Sequence, residues 1–539
     1  MSKLPTLFIS CLLIWAASGK SPCAPRSFGQ DSVVCVCNAT YCDHHEPVKA
    51  DELAGELALH YVSSLAGKRL ESMKMKFSNA SASASAAVTF TVDRSTKYQE
   101  IKGFGGAATD SASINIESLS HDAKERLLQQ YFGKHGIDYS FLRVPVGGCD
   151  FSPRRYTYDD DHAGDTALTH FKLAEEDLTY KIPVIKRAVH LRQEATQGTT
   201  EDPTLKLFSA PWSAPDWMKH IDNKTDASYL LPKYWGVWAQ YYLKFFELYK
   251  KHGVDFWGYT PHNEPTHGLT DGGFNSMGWQ AADLREWTAG HLVPALKAGG
   301  FGNLSLMVLD DQRTFAVDWG KVFLGNATMN KLASGMAVHW YADTDANAKN
   351  LDAVHQAYSD KFILYTEACI FHRGSSMVLL GSWERAERYA KSILQVINHW
   401  SSGWVEWNLA LSMTGGPSWY GNSADSPIIV NATAGEFYKQ PMFYAIGHFS
   451  AFVPPGSRRV SLAASADKDV QSAAFLRPDG AVVVVFLNTY VSAPSSSPDD
   501  PDRFQLSERE GHGIKHLLNF NAWVHPKTRK LTSKLASGL

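Results

Sequence analysis

Between Ile101 and Leu411, β-like segments alternate with amphipathic stretches, and no other feature narrows the fold as much. The β-like segments are IKGFGGAA from Ile101, YSFLRVPVG from Tyr139, LKLFSAPW from Leu205 and FWGYTPHNE from Phe256. LSLMVLDD from Leu304, MAVHWYAD from Met336, FILYTEAC from Phe362 and GWVEWNLAL from Gly403 complete the set. HDAKERLLQQYFGKHG (121–136) and KYWGVWAQYYLKFFELYKKHG (233–253) each end at a glycine after Lys and His, a helix stop. In SWERAERYAKSILQVINHW (382–400), Ser382 is a candidate N-cap and Glu384 sits in the first turn. Strand and helix alternating about eight times predicts a (β/α)8 TIM barrel. A doubly wound sheet is the rival, without the closure that eight units permit.

After the eighth unit the pattern changes. VQSAAFLRPDGAVVVVFLN places two strand-like runs around Arg477-Pro-Asp-Gly480, a hairpin signal that predicts an all-β satellite domain. VTFTVDRS (88–95) alternates like a half-buried strand and can pair with that satellite. From Val491, VSAPSSSPDDPD reads as a loop or disordered segment, and HPKTRKLTSKLASGL at the end as a solvated tail.

Residues 1–19 carry Lys3, an apolar run and then small residues, the layout of a secretory signal peptide. The run is too short to span a membrane, and no later stretch reaches about 18 uninterrupted apolar residues. In an oxidising compartment Cys23, Cys35, Cys37 and Cys42 predict two disulfides with three open connectivities. Zinc is the rival, with His44 and His45 nearby, but paired C-x-x-C spacing is lacking, so no metal site is predicted. Cys149 and Cys369 read as free, buried thiols. Sequons at Asn38, Asn79, Asn223, Asn303, Asn326 and Asn431 predict glycans on exposed surface. The net charge of −3, without a basic patch interleaved with aromatics, argues against nucleic acid as a partner.

Chemistry in such a barrel sits at the C-terminal ends of strands. Glu264, in HNEP, falls at the end of the fourth strand and Glu367, in YTEAC, at the end of the seventh, across the mouth from each other. Glycoside hydrolysis needs such a pair, one carboxyl on each side of the scissile bond. Glu264 would be the acid/base, with the Asn263 amide on a sugar hydroxyl and Pro265 turning the chain. Glu367 would be the nucleophile, ionised while Glu264 stays protonated. Arg143 could hold Glu367 ionised, with a structural ion pair as the alternative, and Asp150 could accept sugar hydroxyls. Trp212, Trp217, His339, Tyr341 and Trp407 are similarly placed, with core packing as the alternative for the aromatics. GFGGAA from Gly103 lacks a following phosphate-binding lysine and reads as a tight first barrel loop. Cys369 shares the Glu367 face and reads as inner packing. A G-x-S-x-G elbow is missing.

RSFGQDSVVCVCNATYCD, QEIKGFGGAATDSA, LRVPVGGCDFS, APWSAPDWMK, NEP, HWY, YTEAC, GWVEWNLAL and GGPSW…DSPIIV together resemble glycoside hydrolase family thirty, in its acid β-glucosidase branch. NEP alone is shared by many barrel glycosidases; the ordered set, from about Cys23 to Asn488, is specific. The resemblance implies a retaining β-glucosidase that hydrolyses glucosylceramide in lysosomes, reached through the secretory pathway, with secretion as the alternative. It implies Glu264 as acid/base, Glu367 as nucleophile, and Asp150, Trp212, Asn263, Trp407 and Asn422 as glucose-binding positions. It implies disulfides Cys23–Cys35 and Cys37–Cys42, no cofactor, and a saposin-type activator, an anionic lipid surface and a lysosomal membrane receptor as partners. The architecture implied is a barrel over 98–449 and a β-sandwich from 49–97 with 450–490. A small disulfide-bonded β segment, 20–48, would pack with about 411–438.

Two stretches depart from that resemblance. PTHGLTDGGFNSMGWQ, after Glu264, bears on the aglycone side, and 491–539 is an atypical C-terminal tail that would leave the sandwich with an open, destabilising edge. The competing functions are a family relative acting on a xyloside or a β-1,6-glucan, and an inactive secreted glycan-binding protein.

Overall fold

The computed structural model describes residues 21–47, 57–76, 89–199, 201–270, 273–373, 377–464, 470–488, 519–525 and 533–534. The predicted signal peptide, Asn79 and the Pro/Ser/Asp-rich stretch from Val491 lie outside them.

Eight parallel strands close into a barrel. They are β1 (Gly103–Ala107), β2 (Phe141–Val146), β3 (Lys206–Pro211), β4 (Gly258–Tyr259), β5 (Ser305–Gln312), β6 (Ala333–His339), β7 (Phe362–Glu367) and β8 (Ser401–Val405). Each falls in or against one of the predicted segments, and β8 pairs with β1 to complete the ring, which rules out the doubly wound alternative. Phe141, Phe208, Met307, Ala337, Leu364 and Val405 form a buried apolar layer inside the ring. That layer makes the barrel a packed core rather than a pore.

The glycine-rich stretch predicted as a tight loop is β1 itself. A Cβ on Gly105 would stand 2.1 Å from the Phe141 carbonyl oxygen, and one on Gly103 1.8 Å from Ser140 Oγ. Glycine is needed there for close strand approach, not for a phosphate. The helix His121–Phe132 ends a turn before the predicted stop at Gly136, with the Gly133 N–H donated to Gln129 O at 3.0 Å. Ser382 does occupy the N-cap position of helix Trp383–Asn398, but its side chain makes no capping bond. Asp31 Oδ1, reaching over from the N-terminal segment, accepts from Trp383 N at 2.8 Å instead.

Among the described residues two larger sheets accompany the barrel, beside two short two-stranded ones. The first has the order Pro25–Arg26, Val34–Asn38, Glu436–Lys439, Ile428–Asn431, Leu411–Ser412. Disulfides Cys23–Cys35 and Cys37–Cys42 staple its N-terminal part, while Cys149 and Cys369 are free and buried. The second sheet has eight strands, in the order Ser533–Lys534, Thr89–Glu100, Arg458–Ala464, Val470–Leu476, Val482–Asn488, Asn519–His525, Leu57–Ser64, Glu71–Lys76.

That order corrects the reading of the C-terminus. Asn519–His525 lies between two strands, with Ala522 opposite Val485 on one side and Tyr61 on the other. Without it the backbone groups of both neighbours would form open edges. The final basic stretch is not wholly a solvated tail either, since Ser533 and Lys534 pair with Phe90 and Thr89.

The sequons also differ in exposure from the prediction. Asn223 and Asn303 are exposed, whereas Asn38, Asn326 and Asn431 are half-buried. Local hydrogen bonds hold these three: Asn38 Oδ1 accepts from Thr40 N at 2.9 Å, Asn326 Oδ1 from Met329 N at 3.1 Å, and Asn431 Nδ2 donates to Tyr438 at 3.1 Å. Among the described residues no helix is long and apolar enough to cross a membrane.

Candidate active site

Past β4 the chain runs across the barrel rim. Asn263 N donates to Pro211 O and Glu264 N to Asp310 O, both at 2.9 Å. Glu264 has φ +43°, in the left-handed region, which a residue with a side chain reaches at a cost of about 1–3 kcal/mol. Its amide partner is itself irregular. Leu309 pairs with Ala337 and Asp311 with Val338, so Asp310 is the extra residue of a β-bulge, with φ of 77° at Leu309 and 61° at Asp310. A bulge beside a site re-aims a side chain. Here it turns the Asp310 carboxylate into the barrel, where Thr260 Oγ1 donates to it at 2.7 Å and Thr366 Oγ1 at 2.6 Å.

The charged groups form one connected chain. Arg143, fully buried on β2, donates to Glu367 Oε2, to Asn263 Oδ1 at 2.6 Å and to Asp310 Oδ2 at 2.9 Å. His339, at the end of β6, lies 3.0 Å from Asp310 Oδ1 through Nε2 and 3.0 Å from Glu264 Oε1 through Nδ1. Gln312 Nε2 donates to the same Glu264 oxygen at 2.7 Å, and the Tyr341 hydroxyl to Glu367 Oε1 at 2.7 Å. One oxygen of Glu264, one of Glu367 and a His339 nitrogen all lie within 4.8 Å of one another.

Electrostatics inside this chain reverse one prediction. Burial alone would lower the His339 pKa, but Glu367, Asp310 and Glu264 together hold it up at about 10. Burial raises the Glu264 carboxyl, yet the hydrogen bond and charge of His339 more than offset that and hold it below its ordinary value. Glu367 stays above its ordinary value because burial, with the Glu264 charge, outweighs His339 and Arg143. Glu264 is therefore the more acidic of the two. The prediction that it rests protonated beside an ionised Glu367 overlooked the imidazolium next to it.

Trp212 and Trp407 stack with centroids 5.1 Å apart at 15°, and the Arg143 guanidinium lies 5.0 and 5.1 Å from their rings. Stacked indoles offer a flat apolar wall for the C–H face of a sugar. Asn422 Nδ2 donates to Asp150 Oδ2 at 2.9 Å, and burial, aided by the Glu367 charge, pushes Asp150 up to about 7. Trp217 is not part of this wall: it packs edge-on against Tyr234 and donates Nε1–H to Asp159 O at 2.8 Å. Burial holds the Cys369 thiol well above its usual range, 3.5 Å from the Tyr341 hydroxyl, which disfavours a thiolate.

Asp310, Gln312 and Thr260 were not singled out from sequence. The available signal was VLDDQ, a pair of acids closing an apolar barrel strand, the position where such folds carry chemistry.

Known proteins match this arrangement along nearly the whole chain. Residues 101–453 match the Glycosyl hydrolase family 30 TIM-barrel domain, and 456–504 the Glycosyl hydrolase family 30 beta sandwich domain. The chain is 40% identical over 509 residues to the lysosomal acid glucosylceramidase of Mus musculus, covering 93% of this chain and 96% of that one. It is 43% identical over 445 residues to putative glucosylceramidase 3 of Caenorhabditis elegans, covering 81% and 83%. The solved structure of SrfJ from Salmonella typhimurium shares the fold, with a TM-score of 0.74 at 24% identity over 87% of this chain and 100% of that one. A barrel and a sandwich domain of one family, in order and in one chain, make this protein a member of glycosyl hydrolase family 30.

Proposed function

We propose that this enzyme is a retaining β-glucosidase that hydrolyses glucosylceramide to glucose and ceramide by double displacement. One observation carries the reading: an oxygen of Glu264 and one of Glu367 lie within 4.8 Å at the barrel mouth. That spacing suits a retaining pair, with carboxyls about 5–5.5 Å apart, better than an inverting pair, which needs about 6.5–9.5 Å to admit a water. The glucosylceramidase relatives support the choice of substrate.

Glu367 attacks the anomeric carbon, the bond to the ceramide oxygen breaks, and Glu264 gives that oxygen its proton. Water then attacks the anomeric carbon, the bond to the Glu367 oxygen breaks and frees that carboxylate, and Glu264 takes the proton of the water. The proton has a short route to Glu264, the 3.0 Å contact with His339 Nδ1. Transfer across it runs uphill from an imidazolium held up at about 10, and it leaves a neutral imidazole and a protonated acid. The Arg143 contact and the Tyr341 hydroxyl then favour the ionised form of Glu367. Asp150 and Asn422 take sugar hydroxyls, Asn263 a further one, and Trp212 with Trp407 the ring face. An anionic lipid surface, a saposin-type activator and a receptor-mediated route to the lysosome belong to the same reading.

A 2-fluoro-β-glucosyl donor near pH 5 tests it. The fluorine slows hydrolysis of the glycosyl-enzyme, so intact and peptide mass spectrometry should find a glucosyl-sized gain on the Glu367 peptide. A folded enzyme that stays unlabelled by this donor but is labelled by a xylosyl analogue would reassign the substrate. Labelling on another carboxylate would reassign the nucleophile.

A further inference from the structure

A second cluster of ligand-type side chains lies away from the barrel mouth. His44 and Glu46 follow the second disulfide in the N-terminal segment, and His135 sits in the turn between helix His121–Phe132 and β2. That turn is at the start of β2, on the end of the barrel opposite the glutamates. His44 Nε2 is 3.7 Å from Glu46 Oε1, and His135 Nδ1 is 3.7 Å from Glu46 Oε2. All three residues offer a ligand atom within 4.8 Å of the others. They line a cavity of about 460 Å³, with the buried Asp43–Lys439 pair behind them.

We propose that His44, Glu46 and His135 form a binding site for a zinc-class divalent cation that ties the N-terminal segment to the barrel. Two imidazoles and a carboxylate suit a borderline ion of this kind better than magnesium or calcium, which take all-oxygen shells. A tetrahedral zinc, with bonds of about 2.0–2.1 Å, spaces its ligand atoms about 3.3 Å apart. The two 3.7 Å separations run to different oxygens of Glu46, so a turn of that half-exposed carboxylate has to bring one oxygen within reach of both nitrogens. They are also too long for hydrogen bonds, so no such bond between these atoms has to be broken. The backbone of His44 is anchored by donation from its N–H to Ser21 O at 3.2 Å. The His44 and His135 rings meet edge to face with centroids 5.2 Å apart. Three protein ligands leave a fourth position for water. Because His44 and His135 come from segments far apart in the chain, the cation would act as a cross-link.

The full-length glycosylated protein, stripped with EDTA and dialysed against limiting zinc chloride, is the material for the test. Metal counting by mass spectrometry should give one zinc more per chain for wild type than for H44A/H135A. Any zinc held by the cluster of Glu264, His339 and Glu367 cancels in that difference. Zinc should raise the melting temperature of wild type and leave that of the double variant unchanged by this site. Equal zinc counts would overturn the proposal. Should the double variant fail to fold, H135Q, at a half-exposed turn position, makes the same comparison. A fall of about tenfold or more in zinc affinity supports the site, and unchanged affinity overturns it.

Discussion

Arg143 and Asp310 form an ion pair 2.9 Å long in which neither side chain reaches solvent. Removing one partner of such a pair leaves a buried charge unmatched and typically costs about 3–5 kcal/mol. Asp310→Ala should lower unfolding free energy by that order, read from the midpoint of urea denaturation. A loss under about 1 kcal/mol would mean that Glu367 alone suffices to hold Arg143.

The two glutamates should separate by leaving group. Glu367→Gln should abolish turnover of every substrate. Glu264→Gln should slow glucosylceramide by about 10²–10⁴-fold and an activated aryl glucoside much less in the first step, because only the poor leaving group needs the proton. Pre-steady-state rates on both substrates decide it, and equal losses would contradict the assigned roles.

Stability should peak at mildly acid pH. Burial pushes Asp150 and Asp343 up to about 7 in the fold, against roughly 3.9 in the unfolded chain. Between those values the folded chain holds more protons, so stability falls as pH rises. His339, held at about 10 against roughly 6.5 unfolded, continues the same trend at higher pH. Asp310 and Glu264, both held below their ordinary values, act in the opposite sense, and so do His45, His262 and His448, each held at about 3 by desolvation, which take stability away as pH falls below roughly 6.5. Melting temperatures across pH 4–9 should be higher near 5 than near 8. A flat or rising profile between those two points would count against this balance.

The Asp150–Asn422 contact predicts a binding phenotype. If each takes a sugar hydroxyl, Asp150→Ala should cost about 1.5–3 kcal/mol of transition-state binding, on the order of 10- to 150-fold in kcat/KM. Asn422→Ala should cost less, because it removes a neutral partner. Unchanged melting temperatures would locate both effects in substrate binding.

Deleting the chain from residue 519 removes the strand between Val482–Asn488 and Leu57–Ser64. Two paired strands then become edges. The truncated protein should melt at lower temperature and aggregate on heating, measured by scanning fluorimetry with light scattering. Unaltered melting would show that this strand adds little to the sheet.

The barrel was legible in the sequence because each strand is a compact apolar run between helical stretches. Even β4 was found, although only Gly258 and Tyr259 are regular strand, since its flanking sequence keeps the rhythm. The placing of Glu264 and Glu367 at the barrel mouth was legible because a charge ending such a run is conspicuous. The Asp310 bulge was not, because an extra residue shows only against the register of β6. The proton balance escaped for a similar reason: it depends on His339 standing 3.0 Å from two carboxylates, a distance that strand order does not supply. Asn519–His525 was hidden by the polar, proline-rich stretch before it, which composition alone assigns to a tail.

The order of strands in the flanking sheets has a consequence for how the molecule is made. Val34–Asn38 must wait for Glu436–Lys439, and Leu57–Ser64 waits for Asn519–His525 before its second edge is covered. During synthesis the N-terminal segment therefore leaves the ribosome long before its partners exist. The barrel is complete at β8 earlier than either neighbouring sheet, and it is the scaffold on which the two ends of the chain find each other.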